Sequence, residues 1–436
     1  MIIKWLTGLI RNKKKKEKIK VEIEELKKAI LEDPKFRDEI LRELEYRTGR
    51  RDILKAGVLG LLGLSLGLGG SYAYNASVNT NTVREVASDY AGVKIPKPST
   101  CIVAQDGTGD YDVSPREDAS EVIQKAIDDV HRKGGGEVKI REGKYYLYNT
   151  IYIQEHIIFT GCGQNTLLIL GENVSRSVIE SADGKTYRQV IIKDLKIDGN
   201  KRYNHDGCGI YCRLWDSIIQ NVVIQNMPRH GIDLRNKGLG NKNIVGTRDD
   251  NKIIACSIRN CGGVGIYASP VLKIIGCDIG HNNIAVCENA VRIHACNIYG
   301  ATIWIENKEA ISIMGNHITT DGRAKAGIKI FAKNGFNCRD VEIVGNDFRG
   351  SASNALIDIE SQSNCLISNV IISGNIFNAR NNRSSSRGIW IRGNGIIKNI
   401  LITNNIFTGV YEKGVFVNKA NNKSNINIKF ENNIVD

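Results

Sequence analysis

None of the eleven cysteines belongs to a CxxC pair. Cys208 and Cys212 lie four apart beside His205 and Asp206, but a metal centre built on cysteine spacing needs a second pair, and the chain has none. No metal site is expected. Zinc-knuckle and RNA-recognition signatures are also missing, although the net charge is +13. Residues 1–51 hold 16 Lys/Arg against 10 Asp/Glu, so close to half of that excess lies at the N-terminus. A solvated face or a membrane-topology signal accounts for such a run better than a nucleic-acid site, so no nucleic-acid partner is expected. Within the repetitive C-terminal part, no repeat holds ten residues of helical periodicity, which excludes a helical solenoid.

What is present is one short phrase that keeps returning. It reads Ile253-Ile-Ala-Cys-Ser-Ile258, Ile274-Ile-Gly-Cys-Asp-Ile279, then Val341-Glu-Ile-Val-Gly-Asn-Asp-Phe348 and later copies. Its key position falls at Cys256, Cys277, Cys296, Asn316, Asn346, Asn375, Asn405 and Asn433. Between copies comes a small residue followed by alternating apolar positions, as in Gly231-Ile-Asp-Leu234, Gly327-Ile-Lys-Ile330 and Gly388-Ile-Trp-Ile391. Period-two alternation, many Ile and Val, and Gly/Asn punctuation are strand signals. A coil of short strands buries its apolar face only by stacking on its neighbours, about 4.8 Å away. An Asn in every coil then bonds along the stack, and Cys fills the same place as a small buried residue. The expected fold is all-β, a right-handed parallel β-helix solenoid over residues 101–436.

The N-terminal part reads differently. Residues 1–52 form a basic segment in which Ile23, Leu26 and Ile30, then Phe36, Ile40 and Leu44, recur at helical spacing around Pro34. Residues 53–73 form an uncharged run after Lys55, preceded by Arg50-Arg51. Two readings stay open: an uncleaved transmembrane anchor, or a signal that resembles the twin-arginine export type. Basic residues before the run place the N-terminus in the cytoplasm and the solenoid outside. Residues 74–100 read as a linker.

From Asp106 the chain resembles a known family. Asp106-Gly-Thr-Gly-Asp-Tyr-Asp112, Val122-Ile-Gln-Lys-Ala-Ile-Asp128, Gly134-Gly-Gly-Glu-Val-Lys-Ile140 and Phe159-Thr-Gly-Cys-Gly-Gln-Asn-Thr166 look like the cap and first coils of the pectate-lyase-like superfamily. That superfamily spans pectate lyases, polygalacturonases and phage tail-spike depolymerases. With the repeats, the resemblance covers about three-quarters of the chain. Val122, Ile123, Ala126, Ile127 and Val130 supply one apolar helix face that can close the open end of the solenoid. The resemblance is specific for the fold and leaves the chemistry open.

Alternation sorts the Gly-Ile strand by face. Stacked coils align an outward row: Tyr211, Asp233, Tyr267, Ala285, Trp304, Lys329, Asp358, Trp390, Phe416. A second row two positions on includes Arg213, Arg235, Ser269, Cys287, Glu306, Phe331, Glu360 and Arg392. Rings beside carboxylates and arginines suit a polysaccharide, uronate-rich chains included. The binding residues expected are Tyr211, Arg235, Tyr267, Trp304, Glu306, Trp390 and Arg392. The rival arrangement is a row of aromatics packed beneath loops.

Candidate catalytic groups come from two places. Asp358 and Glu360 share a strand about 7 Å apart, with Glu306 two coils from Glu360, spacings compatible with an inverting glycosidase. The alternative is a charge ladder with Lys329 and Arg392. Separately, Asn204-His-Asp206, Arg229-His-Gly231 and Gly327-Ile-Lys329 resemble the three signatures of polygalacturonase-type glycosidases. That resemblance implies Asp206 as general acid, His230 as assistant and Lys329 as a carboxylate contact. It departs from the pattern in lacking the paired Asp and in reading RHG and GIK; Asp249-Asp250 follow His230 in the wrong order. A lyase would need Ca²⁺ on carboxylates such as Asp233 and Asp358, with Arg235 or Lys329 as base. The function expected is an extracytoplasmic, membrane-associated polysaccharide-binding β-helix, acting as hydrolase, lyase or non-catalytic surface scaffold.

Overall fold

The computed structural model describes residues 99–182, 185–235, 250–379, 387–410, 414–417 and 425–436. The helical segment, the hydrophobic run 53–73, nearly all of the linker and Asp249 lie outside the described residues. No helix among the described residues is long and apolar enough to cross a membrane.

The first strand, Ser99–Ala104, pairs in parallel with Gly136–Ile140. Between them one helix, α1 (Ser120–Arg132), buries Ile123, Ala126, Ile127 and Val130, while Val122 is only partly covered. Asp118 accepts hydrogen bonds from the Ser120 amide and hydroxyl at the helix start. Gly136 (φ 150°) makes the turn into the first full coil; a Cβ there would lie 2.3 Å from the Ser99 carbonyl oxygen.

From there the coils repeat three short strands, which pair in parallel with their equivalents in the adjacent coils. One row runs Lys252–Ile254, Lys273–Ile275, Arg292–His294 and on to Asn425–Glu431. A second row runs Ser257–Arg259, Asp278–Gly280, Asn297–Tyr299 and on to Ile434–Val435. A third forms an eleven-stranded sheet from Ile151–Ile153 to Val415–Val417. Inward Ile and Val from all three rows make one continuous core. Such a core exists only in the stack, since no coil has a second layer of its own.

The corner between the first two rows explains the recurring phrase. The residue before each key position takes a left-handed backbone: Ala255, Gly276, Ala295, Gly315, Gly345, Gly374, Asn404 and Asn432. That geometry turns the next side chain inward. Asn346 Oδ1 accepts both the backbone and side-chain N–H of Asn316 at 2.9 Å, and the same pair of bonds recurs from Asn346 to Asn375, Asn375 to Asn405 and Asn405 to Asn433. Each Asn also donates to a carbonyl of the preceding coil, as Asn316 does to Ile293. In the earlier coils the thiols of Cys256, Cys277 and Cys296 reach the equivalent carbonyls of Ile219, Ile253 and Ile274 at 3.5–3.6 Å. The cysteines thus do the ladder's work with a weaker donor.

Two further stacks accompany it. Phe348, Phe377 and Phe407, two positions past the ladder, lie ring on ring with centroids 4.8 and 4.6 Å apart. On the outside, Asn369 donates to Asp340, Asn399 to Asn369 and Asn427 to Asn399, all from left-handed positions.

Candidate functional site

The eleven-stranded sheet carries the outward row in the expected register. Tyr211 pairs with Asp233, Asp233 with Tyr267, Tyr267 with Ala285, and so on through Trp304, Lys329, Asp358, Trp390 and Phe416. Tyr152 and Glu180 extend the row upstream, a continuation the sequence phrase did not show. In the second row, Glu306, Phe331, Glu360 and Arg392 align. Arg213 leaves it to pair with Thr186 in a separate two-stranded ladder, and Ser269 is buried.

Facing outward is not the same as facing water. Asp233, Lys329 and Asp358 retain 1%, 6% and 0% of their surface. Lys329 Nζ donates to Asp358 Oδ2 at 2.8 Å and to Glu360. Arg392 donates through Nε to Asp358 Oδ1 at 3.0 Å and pairs through Nη2 with Glu360 at 2.6 Å. Asn354 adds a third donor to Asp358 at 3.0 Å. Two cations and two carboxylates therefore close on one another, as in the charge-ladder alternative. Burial by itself would raise the Asp358 pKa, but the bonds from Arg392 and Lys329 outweigh it and hold the carboxyl below its ordinary value. Held as a carboxylate by these partners, Asp358 is part of an ion-paired cluster with Lys329, Glu360 and Arg392.

Asp233 is occupied in the same manner, by Arg235 Nε at 2.8 Å and Nη2 at 2.5 Å. Asp233 and Asp358 stand five coil steps apart, about 24 Å, so one calcium ion cannot bridge them. Among the described residues no group of three or more His, Cys, Asp and Glu is arranged to hold a metal. Cys208 and Cys212 are buried, and burial pushes the Cys208 thiol up to about 11 and Cys212 higher still.

Of the three polygalacturonase-like motifs the first two meet through Arg229, which reaches Asp206 and donates to His230 Nε2 at 3.2 Å, and the third stands apart. Asp206 is exposed and 3.6 Å from Arg229. His230 accepts the Val264 amide on Nδ1 at 3.0 Å and meets the Tyr267 ring edge-on at 4.7 Å. Lys329 lies four coil steps from His230, about 19 Å.

What the fold does bring together is a cleft of about 670 Å³ on the same sheet. Arg235, Tyr267, Trp304 and Glu306 line it, four of the seven expected binding residues. The Arg235 guanidinium stacks on Tyr267 with its carbon 3.4 Å from the ring centroid, which positions both. Trp304 Nε1 donates to Glu306 Oε2 at 3.2 Å, and Lys333 Nζ reaches the same oxygen at 3.0 Å. Tyr211, Trp390 and Arg392 are not part of this cleft. Trp390 is flanked by Arg387 and Arg392 at 4.6 and 4.4 Å.

The walls were missed from sequence. Asn283, Asn307, Lys308 and Phe336 come from turns after the strands, where coil length varies and alternation carries no information. Glu288 is a further omission: half-buried, it lies 4.0 Å from Lys308 Nζ at the cleft margin. Burial raises its pKa against the lowering influence of Lys308. Burial likewise lifts the cleft-lining Cys287 thiol to about 11.

No protein-family model and no curated protein matches the sequence. Solved structures do match in shape. A tailspike protein variant of E. coli bacteriophage HK620 aligns over 77% of this chain and 68% of its own, at 14% identity and TM-score 0.53. Another variant, solved in complex with a pentasaccharide, aligns over the same shares at TM-score 0.54 and 14% identity. The A-module of Azotobacter vinelandii mannuronan C-5 epimerase AlgE4 aligns over 73% of this chain and 96% of its own, at 15% identity and TM-score 0.48. The chain is a right-handed parallel β-helix. At these identities the similarity speaks for the fold, as the opening motifs of the solenoid implied.

Proposed function

We propose that this β-helix binds a polysaccharide chain laid across the coils of the eleven-stranded sheet, with the Tyr267–Trp304 cleft as the principal contact. One observation carries the reading: Arg235, Tyr267, Trp304 and Glu306, from three coils, line a single cleft whose volume suits a few sugar rings. Aromatic faces supply stacking surface and the flanking charged groups supply directed hydrogen bonds. The pentasaccharide held by the tailspike relative shows that a protein of this fold takes such a ligand.

The finer reading is an acidic polysaccharide. Lys308 supports it, because its contact with Glu288 is long, 4.0 Å, and burial raises the Glu288 pKa against it. A substrate carboxylate is the natural partner for that ammonium group. If the cleft is catalytic, Glu306 is the carboxyl that lines it, and Glu288, next to the lining residue Lys308 and with a raised pKa, is the candidate acid at its margin. The extracytoplasmic location, through residues 53–73 as anchor or signal, belongs to the same proposal.

The test is a binding and turnover panel of acidic and neutral polysaccharides on the full chain, with Trp304→Ala alongside. Reducing ends and the ultraviolet absorbance of unsaturated uronates are recorded together. Binding that Trp304→Ala weakens at least tenfold supports the cleft, and reducing ends without absorbance identify a hydrolase. Binding without either product signal makes the protein a non-catalytic scaffold. No binding to any member of the panel removes the polysaccharide reading.

A further inference from the structure

A second cleft, of about 620 Å³, opens on the same sheet two coils beyond Trp304. Its lining is of a different kind. Gln362, Ser363, Asn364, Asn334 and Asn394 present amides and a hydroxyl, and Glu360 is the charged member. That carboxylate is already matched by Lys329 and Arg392. No aromatic ring lines this cleft. It is therefore neutral and dense in groups that both donate and accept hydrogen bonds, the complement of sugar hydroxyls rather than of a ring face or a uronate.

The turn Lys333–Phe336 separates the two clefts. Phe336 stands 62% exposed at the wall of the first, while Asn334 and Gly335 line the second. The turn is fastened on both sides. Lys333 N donates to Asn307 Oδ1 at 2.8 Å and Lys333 Nζ pairs with Glu306 at 3.0 Å. On the other side, Gly335 N donates to Cys365 Sγ at 3.3 Å. Asn334 and Gly335 both have left-handed backbones (φ 60° and 79°), closed by the Phe336 N–H to Lys333 carbonyl bond at 3.1 Å. The divider is thus built into the fold, and an extended chain crossing it passes from one chemistry to the other.

We propose that the Gln362–Asn364 cleft is a second subsite on the polysaccharide track, taking neutral, hydroxyl-rich sugar units of the chain whose other segment occupies the Tyr267–Trp304 cleft. This rests on the polysaccharide reading given above. Two coil steps, about 10 Å, separate Trp304 from Asp358, the neighbour of Glu360, so one oligosaccharide can engage both clefts. Joining two contacts in one ligand raises affinity without improving either contact.

The experiment is a length series, from disaccharide to octasaccharide, of size-fractionated oligouronides and neutral hexose oligomers titrated against the full chain. The series is repeated with Gln362→Ala/Ser363→Ala and with Ser363→Trp, which fills the cleft. Gln362 and Ser363 are exposed, and thermal melts verify that both variants are folded. The expected result is a rise in affinity of about tenfold or more once the ligand spans both clefts. Both variants should abolish that rise and leave the disaccharide affinity unchanged. A length-dependent rise that survives in both folded variants overturns the subsite while the polysaccharide reading stands. Equal losses at every length overturn it as well, because the two clefts would then not be separable. Absence of binding by the wild-type chain removes the polysaccharide reading and the subsite with it.

Discussion

Lys329 Nζ stands 2.8 Å from Asp358 Oδ2 on adjacent strands of the eleven-stranded sheet, and both side chains are buried. Removing one partner of such a pair leaves a charge without compensation, at a cost of about 3–5 kcal/mol. Asp358→Ala leaves Lys329 and Arg392 to share the single carboxylate of Glu360 and should lower the urea midpoint accordingly. Lys329→Met/Asp358→Leu should recover much of that loss, since an apolar pair needs no compensation and Arg392 keeps Glu360. A loss under about 1 kcal/mol for Asp358→Ala would mean that water already reaches the site.

The pH dependence follows from the same carboxyl. The Asp358 pKa is lowered in the fold, so its contribution is complete above the unfolded value, near 3.9, and is lost as pH falls through the lower folded value. Glu288 runs the other way: its raised pKa favours the folded state while protonated, and that contribution disappears as pH rises through the folded value. Asp358→Asn should therefore flatten the acid limb of a stability-versus-pH curve. Glu288→Gln should flatten the decline above the ordinary glutamate range, near 4.3, and leave the acid limb in place. Indistinguishable curves for the two variants would contradict these assignments.

Why the row was legible and its burial was not has a physical answer. Register follows from alternation, and each Gly-Ile phrase fixes which residue points out, so Tyr211 through Phe416 could be aligned before any coordinates. Burial depends on what adjacent coils place beside a residue. Lys329, Asp358, Glu360 and Arg392 come from three coils and saturate one another, whereas Trp304 and Tyr267 border open space made by turns. Turns carry no period, so Lys308, Phe336 and Glu288 gave no signal. The phenylalanine stack was available in principle, since Phe348, Phe377 and Phe407 each follow a ladder Asn by two residues.

The asparagine ladder makes a graded prediction. Asn346→Ala removes the acceptor of two N–H groups of Asn316 and the donor to the Ile313 carbonyl, all buried. Leaving such groups unmatched should cost about 2–5 kcal/mol. Asn346→Cys should cost less than half as much, because Cys256, Cys277 and Cys296 reach the equivalent carbonyls from the same corner. Chemical denaturation of the two variants decides it. Equal losses would show that the thiols merely fill space.

Tyr145 gives a prediction of opposite sign. Its ring packs in the core near the first coils with no exposure, and its hydroxyl has no hydrogen-bond partner. Burial pushes the phenol up to about 12, the behaviour of an oxygen that has lost its water without replacement. Desolvating a hydroxyl and leaving it unmatched costs about 1–3 kcal/mol, and Phe keeps the ring while deleting the oxygen. Tyr145→Phe should therefore stabilise the protein by about 1 kcal/mol, part of the gain being offset by the small gap the oxygen leaves. The matched control is Tyr111→Phe, whose hydroxyl bonds Asp129 and whose loss should destabilise. A higher midpoint for the first variant and a lower one for the second would tie the effect to hydrogen-bond matching. Destabilisation by both would mean that the Tyr145 oxygen is bonded to an internal water.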